Sequence, residues 1–464
     1  MSPGRLWRAA LAAALLISAP VTAWAQPAPV PSLVRRDGPD AVTARASRTT
    51  PLTLDGRLDE AIYTTVAPLT DFLQQEPREG QPATEKTEAW ILYDDTTLYI
   101  AARCWDSHPE REVANELRRD NGNILGNENF TFVIDTFHDK RNGYLFQTNP
   151  LGALRDMTVT DDQQNSAWNG IWYVKTGTFE QGWTLEVAIP FKTLRYKGSG
   201  PQTWGINLRR LVKWKNEFSY LSLVPAALGT TGVSRMASAA TIEGIETPAQ
   251  SKNLELKPYV LGTSTAARRA GALDSELGKN AGLDFKYGLT RSLIVDATYR
   301  TDFAQVEEDL QQINLTRFSL FFPEKRDFFI EGQGIFDFGG VQAGNSPGDV
   351  PLMFYSRRIG LANGLAVPVT GGARLTGRQG AYSIGLLDIH TEDDPAANAA
   401  ATGFTALRLK RNVLGRSNIG VIATRRGPAA VSTSTARGSG DPSYTMGADA
   451  TLLFLKSINL TGYA

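Results

Sequence analysis

The chain has 464 residues, with 48 Lys and Arg balanced by 48 Asp and Glu, and 43 glycines. That length accommodates two or three domains, and the even balance excludes the basic excess that nucleic acids and acidic polymers demand of a partner. One cysteine, Cys104, excludes an internal disulfide.

In chain order, Arg5 and Arg8, an apolar run over residues 9–17, and Ala23, Trp24 and Ala25 before Gln26 predict a signal peptide over residues 1–25. After it, no apolar run reaches the ~18 residues of a spanning helix, so a mature chain that enters a membrane must do so with strands. Residues 26–48 hold four prolines among small and polar residues, which predicts a flexible linker.

Residues 49–245 alternate as short strands. Ala89 to Tyr93 and Leu98 to Arg103 flank Asp94, Asp95, Thr96 and Thr97, a hairpin signature. Phe130, Phe132 and Ile134 alternate with Thr131, Val133 and Asp135, and Leu185, Val187 and Ile189 alternate with Glu186 and Ala188. This pattern predicts a half-buried antiparallel β-sandwich.

Residues 253–464 carry longer alternating strands, such as Leu293, Val295, Ala297 and Tyr299 against Asp296, Thr298 and Arg300. Val369, Ala373 and Leu375 are read as one face, against Thr370, Arg374 and Thr376. Strands of about ten residues cross a bilayer at a tilt, with one face in lipid and the other in a polar interior. Within this region residues 302–340 differ. The aromatics Phe318, Phe321, Phe322, Phe328, Phe329, Phe336 and Phe338 are interrupted by Glu324, Lys325, Arg326, Asp327 and Glu331. A segment folded inward, with its rings on a barrel wall and its charges paired among themselves, is the simplest reading. The last strand stops abruptly at Tyr463 and Ala464, so these residues are expected not to close a barrel by themselves.

Two resemblances attach to these stretches. The runs Leu54 to Glu60, Leu92 to Ile100, Phe132 to Asp135 and Gly182 to Pro190 resemble the family-nine carbohydrate-binding module, a DOMON-like sandwich. The run DFAQVEEDLQQINLTRFSLFFPEKRDFFIEGQGIFDFG is similar to the signature of domain-of-unknown-function family 5916, which implies a sandwich paired with an outer-membrane barrel. The expected fold is all-β: an N-terminal antiparallel β-sandwich followed by an outer-membrane-type antiparallel β-barrel.

Catalytic motifs are weak. Gly344, Asn345, Ser346, Pro347 and Gly348 match G-x-S-x-G, but proline after the serine has no N–H for an oxyanion hole. The three histidines, His108, His138 and His390, have no metal-ligand spacing. The acid pairs Asp94 with Asp95 and Asp161 with Asp162 read as solvated turns, and Glu307, Glu308 and Asp309 as structural.

Sugar sites combine an aromatic platform with amides, acids and arginine. On that basis Tyr144, Asn149, Arg155, Asp156, Trp168, Asn169 and Trp172 are the candidate carbohydrate-binding residues, with Trp168 as the stacking ring and Trp172, Trp183 and Trp204 closer to core. No cofactor is expected. Calcium is the one candidate, on oxygens of Asp94, Asp95 and Asp135.

The expected function is non-catalytic carbohydrate binding or handling at the bacterial outer membrane, accessory to polysaccharide catabolism. The expected partners are a glycan or oligosaccharide and outer-membrane lipid, and no nucleic acid. One alternative is an outer-membrane transporter or secretion pore with the sandwich as plug or gate. Another, a glycoside hydrolase acting on O-glycosyl bonds, follows from the resemblance alone.

Overall fold

The computed structural model describes residues 29–248, 254–269, 272–290, 292–300, 321, 324–341, 350–362, 365–395, 397–429, 441–454 and 458–464. The signal segment, the G-x-S-x-G match and the acids Glu307, Glu308 and Asp309 lie outside these residues.

The N-terminal strands are β1 (Leu33–Gly38), β2 (Ala41–Arg45), β3 (Ser47–Arg48), β4 (Leu73–Glu76), β5 (Thr87–Tyr93), β6 (Thr97–Trp105), β7 (Asn129–Asp135) and β8 (Gly143–Thr148). They are followed by β9 (Arg155–Thr160), β10 (Gln163–Asn165), β11 (Tyr173–Phe179), β12 (Gly182–Pro190), β13 (Gly200–Val212), β14 (Glu217–Tyr220) and β15 (Ala240–Thr247). One sheet runs β1-β2-β15-β13-β7-β8-β9-β10, with β14 and β4 added through β13, and the other runs β11-β12-β6-β5-β3. Ile91, Ile100, Ala102, Leu185 and Val187 of the second sheet meet Phe132, Ile134, Phe146, Trp204, Ile206 and Leu208 of the first in one core.

Two expectations change here. Residues 33–48 are not a linker but supply β1, β2 and β3. Val42 and Ala44 alternate into the core, and β2 joins β15 in parallel, so tertiary pairing overrides the proline-rich composition. The central strands are also buried on both faces: every residue of β5 and of β7 is buried. A second apolar layer packs Tyr63, Val66 and Trp90 outside one sheet, and another packs Val133, Met157 and Met236 outside the other. A strand covered on both sides has no wet face, so alternation alone underestimates its burial.

The C-terminal strands are β16 (Leu254–Arg269), β17 (Ala272–Gly288), β18 (Leu293–Tyr299), β19 (Leu361–Ala362), β20 (Leu365–Ala366) and β21 (Val369–Gln379). The chain continues through β22 (Tyr382–Thr391), β23 (Thr402–Val413), β24 (Ser417–Pro428), β25 (Ser443–Phe454) and β26 (Ile458–Tyr463). Apart from the β19-β20 ladder they form one antiparallel sheet in sequence order, from β16 to β26. Among the described residues no pairing joins those two ends.

One face of this sheet carries an exposed apolar row, and the other buries charged residues together with an apolar cluster. Val295, Leu375, Leu386, Leu407, Ala423 and Met446 are cross-strand partners in one row, and Leu386, Leu407 and Met446 are exposed. The opposite face buries Asp296, Arg374, Arg408, Lys410 and Asp449. A register shift between Val369 and Gly371 turns Val369 onto this inner face beside Leu387 and Ile389, away from Ala373 and Leu375, because a bulge inverts the two-residue parity.

The segment 324–341 lies against the inner face. Phe328, Phe329 and Phe336 pack with Ile359, Val369, Leu387, Ile389 and Ala406. Gly385 and Gly447 admit the rings of Phe336 and Phe338: a β-carbon would sit 2.9 Å and 2.8 Å from their Cζ atoms. Glu324 pairs with Arg326, whose guanidinium also donates to the carbonyls of Ser356 at 2.7 Å and Ile359 at 2.8 Å. Arg408 donates to Asp449 at 2.7 Å and to the carbonyl of Asp337 at 3.0 Å, which ties the segment to β23 and β25.

Candidate functional site

The turn after β7 and the β9-β10 hairpin bring the sandwich onto one end of the sheet. Arg378 of β21 pairs with Asp139 and lies over the ring of Phe137. Arg141 pairs with Asp161 and donates to Asn412 of β23 at 3.2 Å. The segment 324–341 takes part as well. Glu331 pairs with Arg195 from the sandwich and with Lys286 from β17, and the Gln333 side-chain oxygen accepts from Asn165 at 3.2 Å. Three parts of the chain therefore meet in one charged seam.

A cavity of about 160 Å³ lies in this seam, walled by Tyr144 and Trp168 from the sandwich, Glu331 and Gln333 from the segment, and Lys410 and Asn412 from the sheet. Tyr144 and Trp168 approach with ring centroids 5.0 Å apart, tilted by 44°. Apolar ring edges with amide, guanidinium and ammonium donors converging on one space are the components that orient a polyhydroxylated ligand.

The candidate residues separate into two groups. Tyr144 and Trp168 reach the cavity. Trp168 is only 8% exposed and belongs to the core, against Tyr144 and Phe146, so it forms a wall and not an open platform. The others are occupied elsewhere or face outward. Asn149 is fully buried and donates to the carbonyl of Glu116 at 2.7 Å and to the Asn127 side chain at 3.0 Å. Arg155 donates to Gln147 at 2.8 Å. Asn169 is exposed.

Asp156 and Trp172 support the loop carrying Trp168. The buried Asp156 carboxylate accepts from the Gly170 N–H at 2.7 Å and the Trp172 indole N–H at 2.8 Å, and pairs with Arg119. Burial still pushes its carboxyl up to about 6, against those hydrogen bonds and the Arg119 charge.

Arg195, Gln333, Lys410 and Asn412 were not legible as site residues, because they come from segments remote in sequence. The charges of the 302–340 region were the one signal: Glu331 was predicted to pair within its own segment, yet it pairs with the sandwich and with β17. Asp161 and Asp162 are likewise ion-paired, with Arg141 and Arg235, and are not simply solvated.

Asp94 is buried, accepting from the Thr96 and Thr97 N–H groups and the Tyr99 hydroxyl, while Asp135 accepts from the Phe137 and Lys140 N–H groups. The two acids thus serve separate turns. Among the described residues no group of three His, Cys, Asp or Glu side chains is placed to hold a metal. No described helix is long and apolar enough to cross a membrane, which says nothing of strands.

Residues 54–212 match the carbohydrate family 9 binding domain-like family, and residues 251–368 match a domain of unknown function (DUF5916). Among solved structures, a carbohydrate binding module family 9 from Caldicellulosiruptor kristjanssonii in complex with glucose is 15% identical over 46% of this chain and 98% of its own, with a TM-score of 0.32. The same organism's module in complex with cellotriose is 14% identical over 45% and 95%, with a TM-score of 0.31. No curated protein matches the chain.

Proposed function

We propose that this protein captures a carbohydrate at the outer membrane of a diderm bacterium, with the sandwich seated on the end of a strand sheet whose outer face meets lipid. The observation that carries this reading is the cavity at the seam, where two aromatic walls and converging donors from three segments surround a space of about 160 Å³. The family match over residues 54–212 supports a sugar as the ligand class. The outward row containing Leu386, Leu407 and Met446, backed by buried Arg374, Arg408 and Asp449, supports a lipid-facing surface, since an apolar exterior over a charged interior is stable in a bilayer and costly in water.

Isothermal titration of the full-length protein in detergent against poly- and oligosaccharides tests the binding half, and a panel with no ligand removes it. Cell fractionation with heat-modifiable gel mobility tests the other half. Recovery of a compact monomer in detergent-free buffer removes the membrane location.

A second reading has its own observation. The segment 324–341 fills space on the inner face, and the sandwich is clamped over one end through Asp139 and Arg378. That arrangement suits a gated pore, in which the sandwich and segment close the passage. Single-channel conductance after breaking the clamp, compared with the unaltered protein, separates the two readings.

A further inference from the structure

The charges around the cavity do not balance. Arg141, Arg195, Arg378 and Lys410 line it, against Asp161 and Glu331. Each nearby carboxylate is already committed: Asp161 to Arg141, Glu331 to both Arg195 and Lys286, and Asp139, just behind the wall, to Arg378. Among the described residues Lys410 is the cation left over. It is 7% exposed, its ammonium donates to the Gly334 carbonyl at 3.3 Å, and among the described residues no carboxylate lies within ion-pair distance of it. Among the described residues the buried Nε–H groups of Arg141 and Arg195 have no hydrogen-bond partner either.

Burying an ammonium with one long hydrogen bond is unfavourable unless an anion completes it. The completing group must fit the space of about 160 Å³ between these walls. It must also meet the Tyr144 and Trp168 rings while presenting an acid to the opposite wall.

We propose that the ligand of this cavity is an acidic sugar, a uronate whose carboxylate completes Lys410 while its ring meets the Tyr144 and Trp168 wall. This rests on the carbohydrate-capture reading and narrows it to a charged class. Lys410 supplies the charge, and the unpartnered Arg141 and Arg195 donors supply further hydrogen bonds to the ring hydroxyls or the carboxylate.

Glucuronate and glucose differ at C6, carboxylate against hydroxymethyl, so the pair isolates the charge. Titrated into full-length protein in detergent, glucuronate is expected to bind about 10- to 100-fold more tightly than glucose, the range of one charged hydrogen bond. Its affinity is expected to fall as salt rises. Lys410→Met is expected to remove the preference, whereas Lys410→Arg retains most of it.

The comparison in the unaltered protein needs no variant and decides the matter if Lys410→Met fails to fold. Glucose bound as tightly as glucuronate, or a preference that survives in folded Lys410→Met, overturns the acidic-sugar inference and leaves carbohydrate capture standing. Binding of neither, nor of any oligosaccharide, overturns both. Inorganic phosphate that displaces glucuronate at equal concentration marks a general anion site and overturns the sugar assignment.

Discussion

Replacing Arg378 by Met tests whether the sandwich and sheet form one mechanical unit. Arg378 and Asp139 face each other with side chains 17% and 8% exposed, and Asp139 also accepts from the Asn142 N–H at 2.9 Å and the Asn142 amide at 2.8 Å. Arg378→Met leaves the Asp139 carboxylate buried beside Asp135 without its cation. Breaking one side of a buried pair costs about 3–5 kcal/mol. The readout is selective, because no tryptophan follows Trp214 and seven lie between residues 90 and 214. Tryptophan fluorescence during urea unfolding of the full protein in detergent therefore reports no part of the C-terminal sheet.

The single variants Arg378→Met and Asp139→Asn should each lower the midpoint, and the double variant should lower it by less than the sum, with a coupling of about 1–3 kcal/mol. Additive losses, with a coupling below ~0.5 kcal/mol, would show that the two units do not brace each other. The gating reading would lose its clamp with them.

Trp168→Ala should destabilise the sandwich by about 3–5 kcal/mol by the same assay, since the ring is core as well as cavity wall; a loss under ~1 kcal/mol would mean that the ring is not packed as described. Asp156 sets a pH dependence. Its folded carboxyl stands at about 6, above the ordinary range near 4, so its contribution is complete below about pH 4 and is lost as pH rises through about 6. That two-unit gap corresponds to roughly 3 kcal/mol, and the decline between pH 4 and 7 should shrink by about that amount in Asp156→Asn, the remainder coming from the buried Glu128 and Asp135 carboxyls, which burial also raises; an equal slope in the variant would refute the role of Asp156. Leu407→Arg should reduce the fraction folded in liposomes by the equivalent of about 2–4 kcal/mol if its exposed position meets the bilayer midplane, and an unchanged fraction would argue for a water-facing sheet.

Local pattern by itself determined the strand content and much of the core. Phe132, Ile134, Trp183 and Trp204 were legible as inward residues because a strand's side chains alternate, and the two faces of β18 followed from the same period. The motifs also pointed to the two families whose models match residues 54–212 and 251–368.

Only the tertiary structure decided where the site lies. Alternation cannot report a second apolar layer, so β5 and β7 were expected half-wet and are wholly buried. Neither composition nor period reveals that residues 33–48 add strands to the sandwich, or that a bulge turns Val369 inward. The seam is the clearest case: Tyr144, Arg195, Glu331 and Lys410 are up to 266 residues apart (410 − 144) and meet because the sandwich rests on the sheet end. Ion pairing and enclosure depend on distance in space, which a one-dimensional pattern does not carry.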